Sequence, residues 1–165
     1  WTFGWNNSFS YKNWDLILFF NSSFGAKRLN IVRFGGSNMV GDSRFITLKD
    51  AYYDSWDKNP QNPKYASLTS STSQKYPNST QYLESADYLR LQNISLSYTL
   101  KKNVTKFANI RLSISCQNLF TITGYSGLDP AAYAFSTGHS DVNSGIDMGG
   151  YPTPRTFTFG AKFDF

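Results

Sequence analysis

Apolar and polar residues alternate with a period of two through much of the chain. Phe3, Trp5, Phe9 and Tyr11 fall on one side of the first segment, and Gly4, Asn6, Ser8 and Ser10 on the other. This is the strand period, in which successive side chains point to opposite faces. After a short turn at Lys12 and Asn13, Trp14, Leu16, Leu18 and Phe20 share a face. Opposite them lies a mixed set of Asp15, Ile17, Phe19, Asn21 and Ser23. The two segments predict a hairpin.

The pattern lapses over about 26–86. Gly35-Gly36, Asn59-Pro60, Asn62-Pro63 and a Ser/Thr run over 67–73 mark this stretch as loop. A short helix is predicted at about 48–56, where Leu48, Ala51, Tyr52 and Ser55 stand at helical spacing. Alternation returns at Tyr88, with Ile94, Leu96, Tyr98 and Leu100 opposite Asn93, Ser95, Ser97 and Thr99. Leu89 and Leu91 are out of phase. Either a bulge near Gln92 restores them or they point to the other face. A turn over 101–109 leads to Ile110, Leu112, Ile114, Cys116, Phe120 and Ile122, opposite Arg111, Ser113, Ser115, Gln117 and Thr121. A second loop spans about 124–154. In the last segment Phe157, Phe159, Ala161, Phe163 and Phe165 oppose Thr156, Thr158, Gly160, Lys162 and Asp164.

The sequence thus predicts about five antiparallel strands of roughly ten residues, joined by short, long, short and long connections. Short turns at one end and long loops at the other are the pattern of outer-membrane barrels. Composition strengthens that reading. Aromatic residues make up 18% and charged residues 16%, against about a quarter charged in ordinary soluble domains. Only four Val residues are present, so the apolar face is aromatic rather than the branched aliphatic surface of a soluble sandwich. No unbroken apolar run is longer than that from Leu16 to Phe20, whereas a spanning helix needs about 20 residues. Five strands cannot close a barrel, and open edges are forbidden in lipid. The expected fold is all-β: the C-terminal strands of a large transmembrane barrel, completed by strands outside this sequence.

Charge and candidate chemistry change this little. The net charge of +5 is spread without a basic cluster, which argues against a nucleic-acid partner. Cys116 is the only cysteine, so no intrachain disulfide forms, and its place on the apolar face fits a packing residue. His139 stands alone in a Gly/Ser loop without the partners that catalysis or zinc would need. No nucleophile–base or metal constellation appears, and no enzyme is expected. Asp141, Asn143 and Asp147 alternate like calcium ligands, but Gly145 and Pro152 stand where an EF-hand loop carries ligands. An ordinary polar loop is the stronger reading, and calcium is the only cofactor left open. The sequons at Asn6, Asn21, Asn78, Asn93 and Asn103 fall partly in strands and are set aside. Trp1 is preceded by no export signal, so the natural N-terminus is expected upstream.

Several stretches resemble the SusC/RagA family of TonB-dependent outer-membrane transporters. DYLRLQN at 87–93 with LSYTL at 96–100 resembles the antepenultimate strand. QNLFT at 117–121 and YSGLDP at 125–130 resemble the penultimate strand and its loop. GID at 145–147 and YPTPRTF at 151–157 resemble the approach to the last strand, and YKNWDL at 11–16 resembles a hairpin turn. Two departures stand out: Lys101 follows the Tyr-Thr-Leu triplet where the family often has Pro, and Lys64-Tyr65-Ala66 follows the Asn-Pro repeats. The resemblance implies a roughly 22-stranded barrel around a plug. It implies import of glycans or peptides with a SusD-like lipoprotein and with TonB. Plug and TonB box would lie outside residues 1–165. Two other readings are a non-transporting outer-membrane barrel and a C-terminal fragment held as a client of the barrel-assembly machinery.

The expected lipid-facing residues are Leu16, Leu18, Phe20, Ile110, Leu112, Ile114, Phe157 and Phe159. Phe163 and Phe165 form a C-terminal insertion signal. Tyr52, Tyr53, Trp56, Tyr125 and Tyr133 are candidate substrate contacts in the loops, with packing between the loops as the competing reading.

Overall fold

The computed structural model describes residues 1–37, 47–67, 79–131 and 145–165. They form two compact units. One is an antiparallel sheet built from 1–26, 86–124 and 153–165, and the other is assembled from the two long connections, 27–85 and 125–152.

The sheet contains β1 (Thr2–Tyr11), β2 (Trp14–Ser23), β5 (Tyr88–Leu100), β6 (Asn109–Thr123) and β8 (Thr156–Asp164), paired in that order. Each predicted strand is present. β1 and β2 turn tightly at Lys12, whose φ of 56° is left-handed. The connection between β5 and β6 is more than a turn: it holds one helical turn, α3 (Lys102–Thr105), closed by Lys106 at φ 67°. The long connections leave from the strand ends opposite these turns.

Register explains the leucines that were out of phase. Leu18 pairs with Ile94 and Phe19 with Asn93, but Phe20 pairs with Leu91. Gln92 is the extra residue of a bulge, so Leu89 and Leu91 join the face of Leu96. The shift continues into β6, where Asn118 has a φ of 54°; Asn tolerates this region better than most residues.

The loop unit departs from the expectation of mostly irregular chain. It contains β3 (Lys27–Asn30), α1 (Ile31–Ser37), α2 (Lys49–Tyr53), a 3-10 turn (Thr80–Tyr82), β4 (Leu83–Ser85) and β7 (Ile146–Asp147). β3 pairs antiparallel with β4 and parallel with β7. The predicted helix is shorter than expected, and Trp56 lies beyond its end. Strands of two to four residues are too short for any periodicity to announce them.

Candidate functional site

The pairing joins the faces of all five strands. Leu16, Leu96 and Ile114 stand side by side with Phe159. Leu18, Ile94, Cys116 and Phe157 form the next row, and Trp14, Tyr98, Leu112 and Ala161 the row on the other side. Ile110 pairs with Phe163. Every residue expected to face lipid therefore falls on one face. Aromatic pairs bound it: Trp14 with Tyr98 at 4.6 Å near the short turns, and Trp5 with Phe20 at 5.9 Å and Phe3 with Phe24 at 6.2 Å toward the other end. The six steps from Trp14 to Phe20 span about 20 Å at strand rise, close to the roughly 25 Å apolar band of outer-membrane barrels. Phe165 lies one residue beyond β8, 90% exposed.

The opposite face is polar. Ser97 pairs with Asp15 and Ser113, Ser95 with Ile17 and Ser115, and Asn93 with Phe19 and Gln117. Asp15 reaches across β5 to Arg111 at 3.1 Å and accepts from Ser10 Oγ at 2.8 Å. Arg111 is paired with Lys162, and Lys162 meets Asp164 at 2.9 Å, so two facing cations are each flanked by a carboxylate. Arg90 is buried, donates to Thr121 Oγ1 at 2.9 Å and lies 5.4 Å from the Tyr88 ring. The sole charged residues of β8, Lys162 and Asp164, are on this face.

A polar network holds the loop unit together. Asn30 is 2% exposed and caps α1 by accepting from the Arg33 N–H at 2.8 Å. Its amide donates to Glu84 and to Ser126 Oγ, each at 3.2 Å. Glu84 also accepts from the Ser126 N–H at 3.0 Å. Arg33 binds Asp50 at 3.0 Å and donates to Tyr65 Oη at 2.9 Å, and Tyr65 donates to Asp50 at 3.1 Å. The hydrogen bond to Tyr65 raises the Arg33 pKa, while burial raises that of Tyr65.

Tyr125 donates to Asp147 Oδ2 at 2.6 Å and is 6% exposed. Burial first, and then the Asp147 carboxylate, hold its phenol protonated far above the ordinary range. A phenol whose pKa rises on folding adds stability that is complete below its unfolded value of about 10 and is lost as pH climbs through the folded value. Hydrogen exchange on the full-length protein should therefore show protection around 125–131 falling progressively as pH rises above about 10. Tyr125→Phe should lower that protection at the outset and flatten its pH dependence. A wild-type profile in the variant would contradict the assignment.

The candidate contact residues separate by exposure: Tyr125 is buried and bonded to Asp147. Tyr52, Tyr53 and Trp56 are 40%, 59% and 56% exposed. Tyr52 and Tyr53 meet edge-on at 5.2 Å, and Lys58 Nζ lies 5.2 Å from the Tyr52 ring. Tyr133, His139 and most of the candidate calcium loop lie outside the described residues; Asp147, within them, is bound to Tyr125 and the Gly149 N–H. Sequence reasoning missed a cleft of about 240 Å³ in the loop unit, lined by Asn30, Arg33, Leu48, Asp50, Leu128 and Asp147 among others. Its lining comes from segments far apart in sequence, and no local pattern marks it.

No protein-family profile matches the chain. TonB-dependent receptor P3 of Formosa agariphila is 34% identical over 173 aligned positions, covering 99% of this chain and 16% of that receptor. TonB-dependent receptor SusC of Bacteroides thetaiotaomicron is 34% identical over 88 positions, covering 51% of this chain and 8% of that receptor. The chain matches a C-terminal portion of TonB-dependent receptors of the SusC/RagA kind. Its fold agrees: the structure of the RagAB peptide importer in the open-open state superposes with a TM-score of 0.79 at 23% identity, covering 99% of this chain and 17% of that one. The RagAB peptide transporter gives 0.73 over 94% of this chain. This receptor segment thus spans about a sixth of its relatives' length, and its strands match a C-terminal portion of the barrel.

Proposed function

We propose that this chain supplies C-terminal strands and two outer loops of a roughly 22-stranded barrel that imports glycans or peptides across a bacterial outer membrane. The single observation behind this reading is the apolar face, continuous over five paired strands and bounded by aromatic pairs. A row of Leu, Ile and Phe this wide needs an apolar neighbour, and lipid provides one where the opposite face is polar and lines the lumen. The rest of the barrel pairs with the outer edges of β1 and β8. The plug fills the lumen, TonB acts through an upstream segment, and a SusD-like lipoprotein meets the outer loops.

Two measurements on the full-length receptor test this. Nitroxides at Phe159→Cys and Thr158→Cys should respond oppositely: the first to oxygen dissolved in lipid, the second to a water-soluble nickel chelate. The reverse result would invert the barrel faces. Protease added to intact cells should cut within 27–85 or 125–152, unless a lipoprotein shields them, and should spare Lys12 and 101–109. Uptake that persists unchanged in cells lacking TonB would remove the transport reading.

A further inference from the structure

The two short connections carry a charge that strand pairing does not require. From Lys101 to Asn109 the only ionisable residues are Lys101, Lys102 and Lys106, and the neighbouring turn adds Lys12. The two turns meet. Trp14 pairs with Tyr98, and the Thr99 N–H donates to the Asn13 carbonyl at 2.8 Å. The chain at Lys12 therefore runs within about one strand spacing, roughly 4.8 Å, of the end of β5. All four lysines are exposed, and among the described residues none of them meets a carboxylate. The acids at this end of the sheet are engaged elsewhere: Asp15 by Arg111 at 3.1 Å and Asp164 by Lys162 at 2.9 Å. Four positive charges are thus left uncompensated at one rim.

The backbone that carries these lysines is fixed. The Lys106 N–H donates to the Lys102 carbonyl at 2.7 Å, and the Lys102 N–H donates to Asn109 Oδ1 at 2.7 Å. The Thr105 hydroxyl donates to the carbonyl of Ala108, which is fully buried. Groups placed before binding lose little freedom when a partner arrives. Depth decides the partner. Tyr11, Trp14 and Tyr98 form the last aromatic row of the apolar face, and rows of this kind mark the membrane–water interface. Lys12 Nζ lies 5.2 Å from the Tyr11 ring, so its ammonium stands on the lipid side at that depth. A lysine so placed lays its stem on apolar surface and extends its charge to the headgroups. A soluble acidic partner would be met by cations turned to water, away from the apolar band. Clusters of four or more lysines beside a membrane attract anionic lipid, and the attraction falls off within a screening length.

We infer that the two short turns form a binding site for the phosphodiester headgroups of anionic phospholipid, with Lys12, Lys101, Lys102 and Lys106 as its cations. The inference rests on the proposed topology, which puts these turns on the periplasmic side and the lipid in the inner leaflet. The test uses the full-length receptor in vesicles of phosphatidylcholine and phosphatidylglycerol, with a fluorophore at Phe107→Cys, an exposed position in the same turn. Quenching by nitroxide-bearing phosphatidylglycerol is compared with quenching by nitroxide-bearing phosphatidylcholine, which gives the exchange constant between the two lipids at this place. Phosphatidylglycerol should be favoured about tenfold or more at low salt. The preference should vanish near 1 M salt, where the screening length is about 3 Å. Replacing the four lysines together, as Lys12→Asn, Lys101→Gln, Lys102→Gln and Lys106→Asn, should abolish it. Asn suits the two positions with left-handed φ. Arginine at all four positions should keep it. Equal preference in the parent and the neutral variant, no preference in the parent, or one that survives high salt would overturn the site. Release of the lipid by inorganic phosphate at matched ionic strength would also overturn it, in favour of a soluble anion. If the neutral variant yields no folded barrel, the salt series on the parent and the arginine variant still decide. A membrane-impermeant maleimide tests the topology separately. Reaction of the Phe107→Cys thiol in intact cells removes the topology and the inner-leaflet assignment together. Reaction only in opened cells, with no preference between the lipids, sinks the site and leaves the topology standing.

Discussion

Phe159→Lys in the full-length receptor is expected to cut the yield of folded barrel severely, while Thr158→Lys is tolerated. Phe159 sits mid-strand beside Ile114, in the row that runs through Leu96 to Leu16. A lysine there enters the apolar band, at about 2–4 kcal/mol if placed at the bilayer midplane. That is roughly a 30- to 800-fold shift in the folding equilibrium, at 1.4 kcal/mol per tenfold. The neighbouring Thr158 pairs with Ser115 on the polar face, where a charge meets water. The measurement is the heat-modifiable band in outer-membrane fractions, with unfolding in urea on the purified proteins. Equal losses for the two variants would show that the sheet does not divide lipid from lumen as its register does.

Gly127→Val is expected to disrupt the loop unit and leave the barrel strands in place. A Cβ at Gly127 would lie 2.3 Å from the Tyr125 ring and 2.8 Å from Asp147 Oδ2. Neither can step aside easily, because Tyr125 and Asp147 are both buried and joined by a 2.6 Å hydrogen bond. Overpacking of this kind costs about 1–3 kcal/mol, occasionally more, and the branched valine adds two further methyl groups. Limited proteolysis should find 125–131 newly cleavable in the variant, with the heat-modifiable barrel still present. Protease resistance equal to wild type would mean the close approach is not a constraint in the assembled receptor.

What the sequence made legible divides along the same line as the two units. The five long strands were readable because one repeated cue, aromatic or aliphatic against Ser, Thr and Asn, runs for about ten residues in each. Even the fault at Gln92 was visible, since a bulge shifts phase and leaves two leucines on the wrong parity. The loop unit was not readable for the opposite reason. Its order comes from single polar residues acting at a distance: Glu84 with Ser126, Arg33 with Asp50 and Tyr65, Tyr125 with Asp147. Such pairs have no period. Among the candidate contacts, aromatic type alone could not tell buried Tyr125 from exposed Tyr53. That difference depends on Asp147, which stands beyond β6 and its following loop.

The parallel pairing of Leu29 with Ile146 and Asn30 with Asp147 also bears on the order of assembly. During synthesis β3 and β4 emerge well before β7. Until β7 arrives, one side of β3 presents unsatisfied backbone groups of the kind that invite wrong partners. Closing a contact over so long a stretch of chain is slow, because the entropy of the closed loop is lost before any bond repays it. The outer loops should therefore mature last, after β5 and β6 have brought the two segments near each other. Molecules in which β3 and β7 have not yet paired would keep their barrel strands yet remain open to protease in 27–85, giving a kinetic signature that separates them from completed molecules.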